Sequence, residues 1–70
     1  MIEHYLGEKN FLCPVCGRYT FKAFGNYEVC SICNWENDAY QYNHPSEDGG
    51  ANRMSLNQAR EAWKKGEKVI

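Results

Sequence analysis

Apolar and polar residues alternate twice in the first half of the chain. From Arg18 to Phe24, and again from Tyr27 to Val29, aromatic or aliphatic side chains alternate with polar ones. Gly25-Asn26 between the two runs is typical of a tight turn. The pattern therefore predicts a β-hairpin between these two runs. A short extended stretch from Asn10 to Leu12 predicts a further strand before the first cysteine.

The end of the chain has the period of an amphipathic helix. Ser55 and Gln58 have the spacing of a capping box, in which each side chain binds the backbone amide of the other residue. Gly66 stands where helices commonly end. The sequence predicts a helix from Leu56 to Lys65 that packs on the hairpin. The apolar residues that recur on one face of this helix are Leu56, Ala59 and Trp63.

Between the hairpin and the helix lies an irregular stretch, residues 34–54. Its turn-forming residues and one proline interrupt any regular period, so it predicts a long loop. Loops of this length within a small domain are often functional. We expect a single domain over residues 1–70, with a hairpin segment over 11–33 and a helical segment over 55–66.

Composition is typical of a small globular domain. The 70 residues are 43% hydrophobic and 14% aromatic, which is too apolar for a disordered chain, and no apolar run is long enough to cross a membrane. So short a chain buries little core and usually needs a staple such as a metal ion. Residues 1–10 lack the features of a signal peptide, so we expect a cytoplasmic protein with reduced thiols.

Two Cys-x-x-Cys pairs are the strongest chemical signal, and thirteen residues separate them. Such pairs fold into tight knuckles whose backbone amides point at sulfur. Gly17 and Asn34, which follow the two pairs, both tolerate a left-handed backbone. Four thiolates around a divalent cation leave no open ligand position, so we predict a structural site for one Zn²⁺ per chain. The predicted ligands are Cys13, Cys16, Cys30 and Cys33.

Three other uses of these thiols fit the sequence less well. Thioredoxin-type chemistry needs one pair at the start of a helix, whereas Pro14 lies inside the first pair and a predicted hairpin follows it. Iron in a rubredoxin-like site would use the same four sulfurs, and it stays open as a minor alternative. Two disulfides would require export of the protein.

Several separate motifs follow one another between residues 11 and 63. They are C-P-V-C-G, G-N-Y-E before C-S-I-C-N-W-E-N-D, and G-G-A-N-R-M-S-L-N-Q-A-R-E. In this order the chain resembles the bacterial cysteine-rich CPCC family. The resemblance implies a small zinc-ribbon-like α+β domain with the four cysteines as ligands, and it implies no particular activity. Val15 and Asn34 depart from the family's pattern, in which a further cysteine and usually a glycine stand at these positions.

The sequence offers little that indicates catalysis. His4 and His44 are distant in sequence and belong to no ligand or nucleophile spacing. The loop contains two acidic pairs, Glu36 with Asp38 and Glu47 with Asp48. A solvated acidic surface explains them best. We expect that the protein is not an enzyme.

The long loop favours a protein partner, because its aromatic residues are of the types that anchor interfaces. One form of this hypothesis is an immunity or inhibitor protein for a bacterial toxin, whose acidic groups mimic a nucleic acid. An accessory subunit that docks on a larger assembly would show the same features. The candidate partner-binding residues are Trp35, Glu36, Asp38, Tyr40 and Tyr42.

Nucleic-acid binding is the alternative function, since zinc ribbons often contact DNA or RNA through aromatic and basic side chains. Against it stands an isoelectric point of about 6.1, because dedicated binders are usually strongly basic. Seven acidic and three basic residues lie in 1–50, whereas two acidic and five basic residues lie in 51–70. The residues that would serve this function are Arg18, Tyr19, Phe21, Lys22, Phe24, Arg53, Arg60, Lys64 and Lys65.

Overall fold

The computed structural model describes residues 11–70 and contains four short elements. They are strands β1 (Phe11–Leu12) and β2 (Thr20–Phe21) and helices α1 (Ala39–Asn43) and α2 (Leu56–Lys64). The strands pair antiparallel. The fold is therefore a small α+β domain, as predicted. Residues 1–10, which include His4 and the first residue of the strand predicted from Asn10 to Leu12, lie outside the described residues.

The two-stranded hairpin encloses the first cysteine pair instead of lying between the two pairs. Phe11 lies opposite Phe21 in the ladder, and the backbone amide of Cys13 donates to the carbonyl of Tyr19 at 2.8 Å. The predicted pairing of residues 18–24 with 27–29 is wrong.

The physical reason for this difference lies in the segment around Asn26. Gly25 and Tyr27 both have left-handed backbones, with φ of 69° and 62°. The Asn26 side-chain oxygen accepts from the amide of Glu28 at 3.0 Å and from the side chain of Asn37 at 2.8 Å. The chain consequently forms a loop here, and residues 27–30 are free to pair with a later segment.

That later segment is 35–37, so the second cysteine pair lies in a narrow hairpin of its own. Val29 and Glu36 form an isolated antiparallel bridge. The amide of Cys30 donates to the carbonyl of Trp35 at 2.8 Å, and the amide of Tyr27 donates to that of Asn37 at 2.9 Å. Each cysteine pair thus occupies the tip of a separate hairpin.

Helix α1 interrupts the stretch that the sequence predicted as a loop. Asp38 caps it, since one carboxylate oxygen accepts from the amides of Tyr40 and Gln41 at 2.8 and 3.2 Å. Five residues are too few to produce a recognisable helical period, which explains why the sequence pattern did not reveal this helix.

Helix α2 begins at the predicted residue and ends one residue earlier than predicted. Both halves of the capping box are present: the Gln58 amide donates to the Ser55 hydroxyl at 3.1 Å, and the Ser55 amide donates to the Gln58 side chain at 2.9 Å. Gly66 follows the helix with φ of 75°, the left-handed conformation that ends helices. The prediction of this helix is confirmed.

The core joins α2 to both cysteine hairpins. Phe21 and Trp35 are wholly buried, one from each hairpin, and Trp63 of α2 packs against the cluster while half-buried. In the part of the chain that the structure describes, no helix has the length and apolar character needed to cross a membrane. The other buried apolar residues are Cys13, Cys30, Cys33, Leu56, Ala59, Ala62 and Val69.

Candidate metal centre

The two hairpin tips bring four thiols together at one point. Their sulfur atoms all lie within 4.8 Å of one another, and the residues are Cys13, Cys16, Cys30 and Cys33. The shortest distances cross between the hairpins, 3.5 Å from Cys13 to Cys33 and 3.7 Å from Cys16 to Cys30. A tetrahedral ion bonded to sulfur at about 2.3 Å separates its ligand atoms by about 3.8 Å. The spacing of these four sulfurs therefore fits a metal ion.

The two knuckles have the same backbone geometry. Gly17 has φ of 68° and Asn34 has φ of 77°, so both residues adopt the left-handed conformation that the sequence predicted. The amide of Gly17 donates to the carbonyl of Cys13, and that of Asn34 donates to the carbonyl of Cys30, each at 2.9 Å. Asn34 thus adopts the same backbone conformation as Gly17.

Backbone amides point at the sulfur atoms, as expected for a thiolate site. The amides of Ile32 and Cys33 both approach the sulfur of Cys30 at 3.4 Å, and the amide of Arg18 approaches that of Cys16 at 3.4 Å. Such N–H groups stabilise negative charge on the ligands and orient them. The site is thus prepared for thiolates.

Burial disfavours the charged thiolate form of these cysteines unless a cation lies among them. Burial is the main reason why the pKa values of Cys13 and Cys33 are raised above that of an ordinary thiol. At Cys30 burial acts in the same direction, but the amides of Cys33 and Ile32 together lower the pKa. A divalent cation would compensate the charge of several close thiolates. Four sulfur donors suit zinc or iron, and they leave no open position for a substrate.

A network of buried polar side chains, which no pattern in the sequence indicates, lies beside the second knuckle. Asn52 is its centre: its side chain accepts from the Glu36 amide at 2.8 Å and donates to the Glu36 carbonyl at 2.9 Å. The same side chain donates to Gln41, whose own amide nitrogen reaches the carbonyl of Met54 at 3.0 Å. This network fixes α1 against the hairpin that carries Cys30 and Cys33.

Gly50 lies against this network and explains part of the G-G-A-N motif. A Cβ atom at this position would lie 2.8 Å from the Asp38 carboxylate and 2.8 Å from the Gln41 side chain. The next amide, that of Ala51, donates to Asp38 at 2.9 Å. The residues of this network belong to the motifs W-E-N-D and G-G-A-N. Because the two motifs are far apart in the sequence, the sequence alone does not indicate that they are in contact.

The structure corrects two of the predicted partner-binding residues. Trp35 is 0% exposed and Asp38 is 6% exposed, so neither presents a surface to a partner. Trp35 comes two residues after the second knuckle, and its side chain lies in the core. The carboxylate of Asp38 caps α1. Glu36 is half-buried, whereas Tyr40 and Tyr42 are exposed.

In an extended chain Tyr40 and Tyr42 would lie on one face. Both belong to helix α1, and they do not share a face there. Residues two apart on a helix point in different directions. Tyr40 stacks on His44 with ring centroids 4.1 Å apart. Tyr42 instead packs edge to face on Phe11 and Phe24. The two tyrosines thus belong to different surfaces.

The aromatic residues suggested for nucleic-acid binding are largely occupied in the fold. Phe21 is wholly buried. The hydroxyl of Tyr19 donates to the Glu28 carboxylate, and Tyr19 packs edge to face on Phe21 with ring centroids 5.4 Å apart. Of the three aromatic residues proposed for that function, Phe24 alone is exposed.

Two cysteine hairpins, a shared four-sulfur site and a covering helix define a small cysteine-rich, metal-binding α+β domain. The chain belongs to the Cysteine-rich CPCC family, whose sequence profile matches residues 11–66. The resemblance noted from the motifs is therefore confirmed. A comparison with curated proteins found no match to this chain.

Proposed function

We propose that this protein is a non-catalytic module in which a structural Zn(Cys)4 site holds the fold and the folded surface binds another protein. The observation that carries the structural role is the closure of the site. All four ligand positions are taken by protein sulfur, and Cys13, Cys30 and Cys33 are buried. Zinc suits four thiolates in this arrangement, and iron is the alternative metal.

Exposed aromatic side chains support the role in protein binding. Phe24 and Tyr42 are 48% and 38% exposed although both pack against other rings, and Tyr40 is 56% exposed. Exposed aromatic groups on a small metal-held scaffold are typical of interaction surfaces. Residues 22–52, which contain these side chains, include five acidic residues and one basic residue. This acidic stretch suits a basic target, as the toxin-inhibitor form of the hypothesis requires.

Native mass spectrometry tests the metal part of this proposal. The full chain, purified under reducing conditions without added metal, should carry one zinc ion per chain and four reduced thiols. A single iron would replace zinc in the proposal. A metal-free chain with disulfides would overturn the structural site.

Cross-linking in the native host, followed by nuclease treatment, tests the binding part. We expect a protein that co-purifies in a fixed ratio with the metal-loaded chain and stays bound after nuclease. Cys16→Ser, which removes a ligand, should lose this partner, whereas Ser31→Ala in the second knuckle should retain it. Material that nuclease releases, together with retention on a DNA column at low salt, would favour the nucleic-acid alternative. The absence of any partner would overturn the proposal.

A further inference from the structure

Three aromatic rings from distant parts of the chain form one surface patch. Phe11, Phe24 and Tyr42 pack edge to face in pairs, with ring centroids 5.0 to 5.4 Å apart. Phe24 and Tyr42 are exposed, and Phe11 is half-buried beneath them. We call these residues the three-ring patch. Clustered exposed rings of this kind are uncommon on a surface without a partner.

The patch is held rigidly by contacts beneath it. The ring of Phe11 also stacks on buried Phe21, with centroids 6.4 Å apart. The loop that carries Phe24 is tied down because the Asn37 side chain donates to the carbonyl of Ala23 at 2.8 Å. Gly25 in the same loop approaches Ala39 of α1 so closely that a Cβ atom would lie 2.8 Å from the Ala39 methyl group. A preorganised surface loses little conformational freedom on binding.

The chain segment that carries two of the three rings is rich in acidic residues. Residues 22–52, which include Phe24 and Tyr42, contain five Asp or Glu residues and one basic residue, Lys22. The Glu28 carboxylate lies at the base of the Phe24 loop, where it accepts from the Lys22 amide and from the Asn26 side chain, each at 3.2 Å.

Aromatic faces next to negative charge select cations. Lysine and arginine side chains are attracted to the faces of Tyr and Phe rings, and carboxylates nearby add to this attraction. A nucleic acid would be repelled by this surface, and a second copy would present the same charge to it.

We propose that the three-ring patch is the docking surface for a lysine- or arginine-rich segment of the partner protein. The proposal rests on the protein-binding function proposed above and names the chemistry of that partner. The acidic stretch supplies long-range attraction, and the rings of Phe24 and Tyr42 supply the contact surface.

Titration of the full, metal-loaded chain with a deca-arginine peptide, followed by NMR, tests this inference. We expect the largest shifts at the rings of Phe24 and Tyr42. The double variant Phe24→Ser with Tyr42→Ser should raise the dissociation constant about fivefold to thirtyfold. Metal content and spectral dispersion show whether the variant is folded.

Two matched variants remove exposed apolar groups elsewhere. Tyr27→Asn deletes a ring that is 60% exposed, and asparagine tolerates the left-handed backbone of that position. Ile32→Ser deletes a side chain that lines a separate cavity of about 770 Å³ beside the second knuckle. Both variants should bind the peptide as the wild type does. If the double variant fails to fold, Glu28→Gln keeps all three rings and should weaken binding about twofold to fivefold.

Three results would overturn the inference. They are peptide shifts centred on Ile32, equal affinity of the double variant and the wild type, and self-association through the three-ring patch without peptide. The failure of the proposed function looks different, because the wild type then captures no protein at all in the host. If the wild type and the double variant capture the same partner equally, protein binding stands and the docking surface is wrong.

Discussion

The side-chain oxygen of Gln41 accepts two hydrogen bonds from Asn52, one from its backbone amide at 3.0 Å and one from its side chain at 2.9 Å. In return the Gln41 amide group donates to the carbonyl of Asn52 at 3.2 Å. Both residues are almost completely buried. Among the described residues every buried side-chain nitrogen or oxygen has a partner, so this polar network is fully satisfied. The pair specifies how α1 lies against the metal hairpins.

Replacing Asn52 by alanine should destabilise the metal-loaded protein by about 2–3 kcal/mol. The change leaves the backbone groups of Glu36 without their buried partners, and each unsatisfied group is costly. Urea denaturation in the presence of metal measures the free energy of unfolding. Asn57→Ala, at an exposed position of α2, should change this energy by less than about 0.5 kcal/mol. Equal effects of the two variants would contradict the role of the network.

Gly50→Ala should destabilise the protein by about 1–3 kcal/mol, because the new methyl group meets Asp38 and Gln41 at 2.8 Å. Its neighbour provides a comparison: Gly49 has φ of 77° and open space around it. Gly49→Asn should therefore cost little, since asparagine tolerates this conformation. Thermal denaturation of both variants measures the difference. A neutral Gly50→Ala would show that α1 shifts easily, contrary to a rigid network.

Removal of the metal should unfold the domain. Binding of a structural zinc ion supplies an apparent free energy on the order of 10–16 kcal/mol, while a chain of this size has little other stability. A chelator at neutral pH under reducing conditions should abolish the helical circular-dichroism signal and the dispersion of the NMR spectrum. Cys30→Ser should behave like the chelated wild type, whereas Ser31→Ala should not. A folded, metal-free chain would contradict the dependence of the fold on the metal.

The Tyr19–Glu28 hydrogen bond predicts a dependence on alkaline pH. Because its hydroxyl donates to a carboxylate, the pKa of Tyr19 is raised above 10.0. A raised pKa in the folded state means that this contribution to stability is fully present below pH 10 and is lost as the pH rises through the folded pKa. Ring carbon shifts of Tyr19, followed from pH 8 to 12, should show a midpoint above 10.0.

Two variants check the cause of this shift. Glu28→Gln removes the charge and should move the Tyr19 midpoint back toward 10.0. The difference in stability between the wild type and Tyr19→Phe should shrink above pH 10. A Tyr19 midpoint at or below 10.0 in the wild type would show that the hydrogen bond does not exist in solution.

The features that the sequence by itself determined are local ones. Two residues separate the cysteines of each pair, which is enough to form a knuckle, and Gly17 and Asn34 supply the left-handed backbone that each knuckle needs. Ser55 and Gln58 cap α2 through contacts three residues apart. Such features depend on neighbours in the chain, so a sequence pattern can show them.

Tertiary structure decided which segments meet. Alternation of apolar and polar residues indicates an extended chain but not the segment that it pairs with. The pattern predicts that residues 27–29 pair with 18–24, whereas they pair with 35–37. Trp35 resembles an interface residue in sequence, and only the fold shows that it is the centre of the core. The Gln41–Asn52 pair and the three-ring patch join residues that lie 11 or more positions apart. Their contacts arise from the packing around the metal hairpins, which no local period encodes.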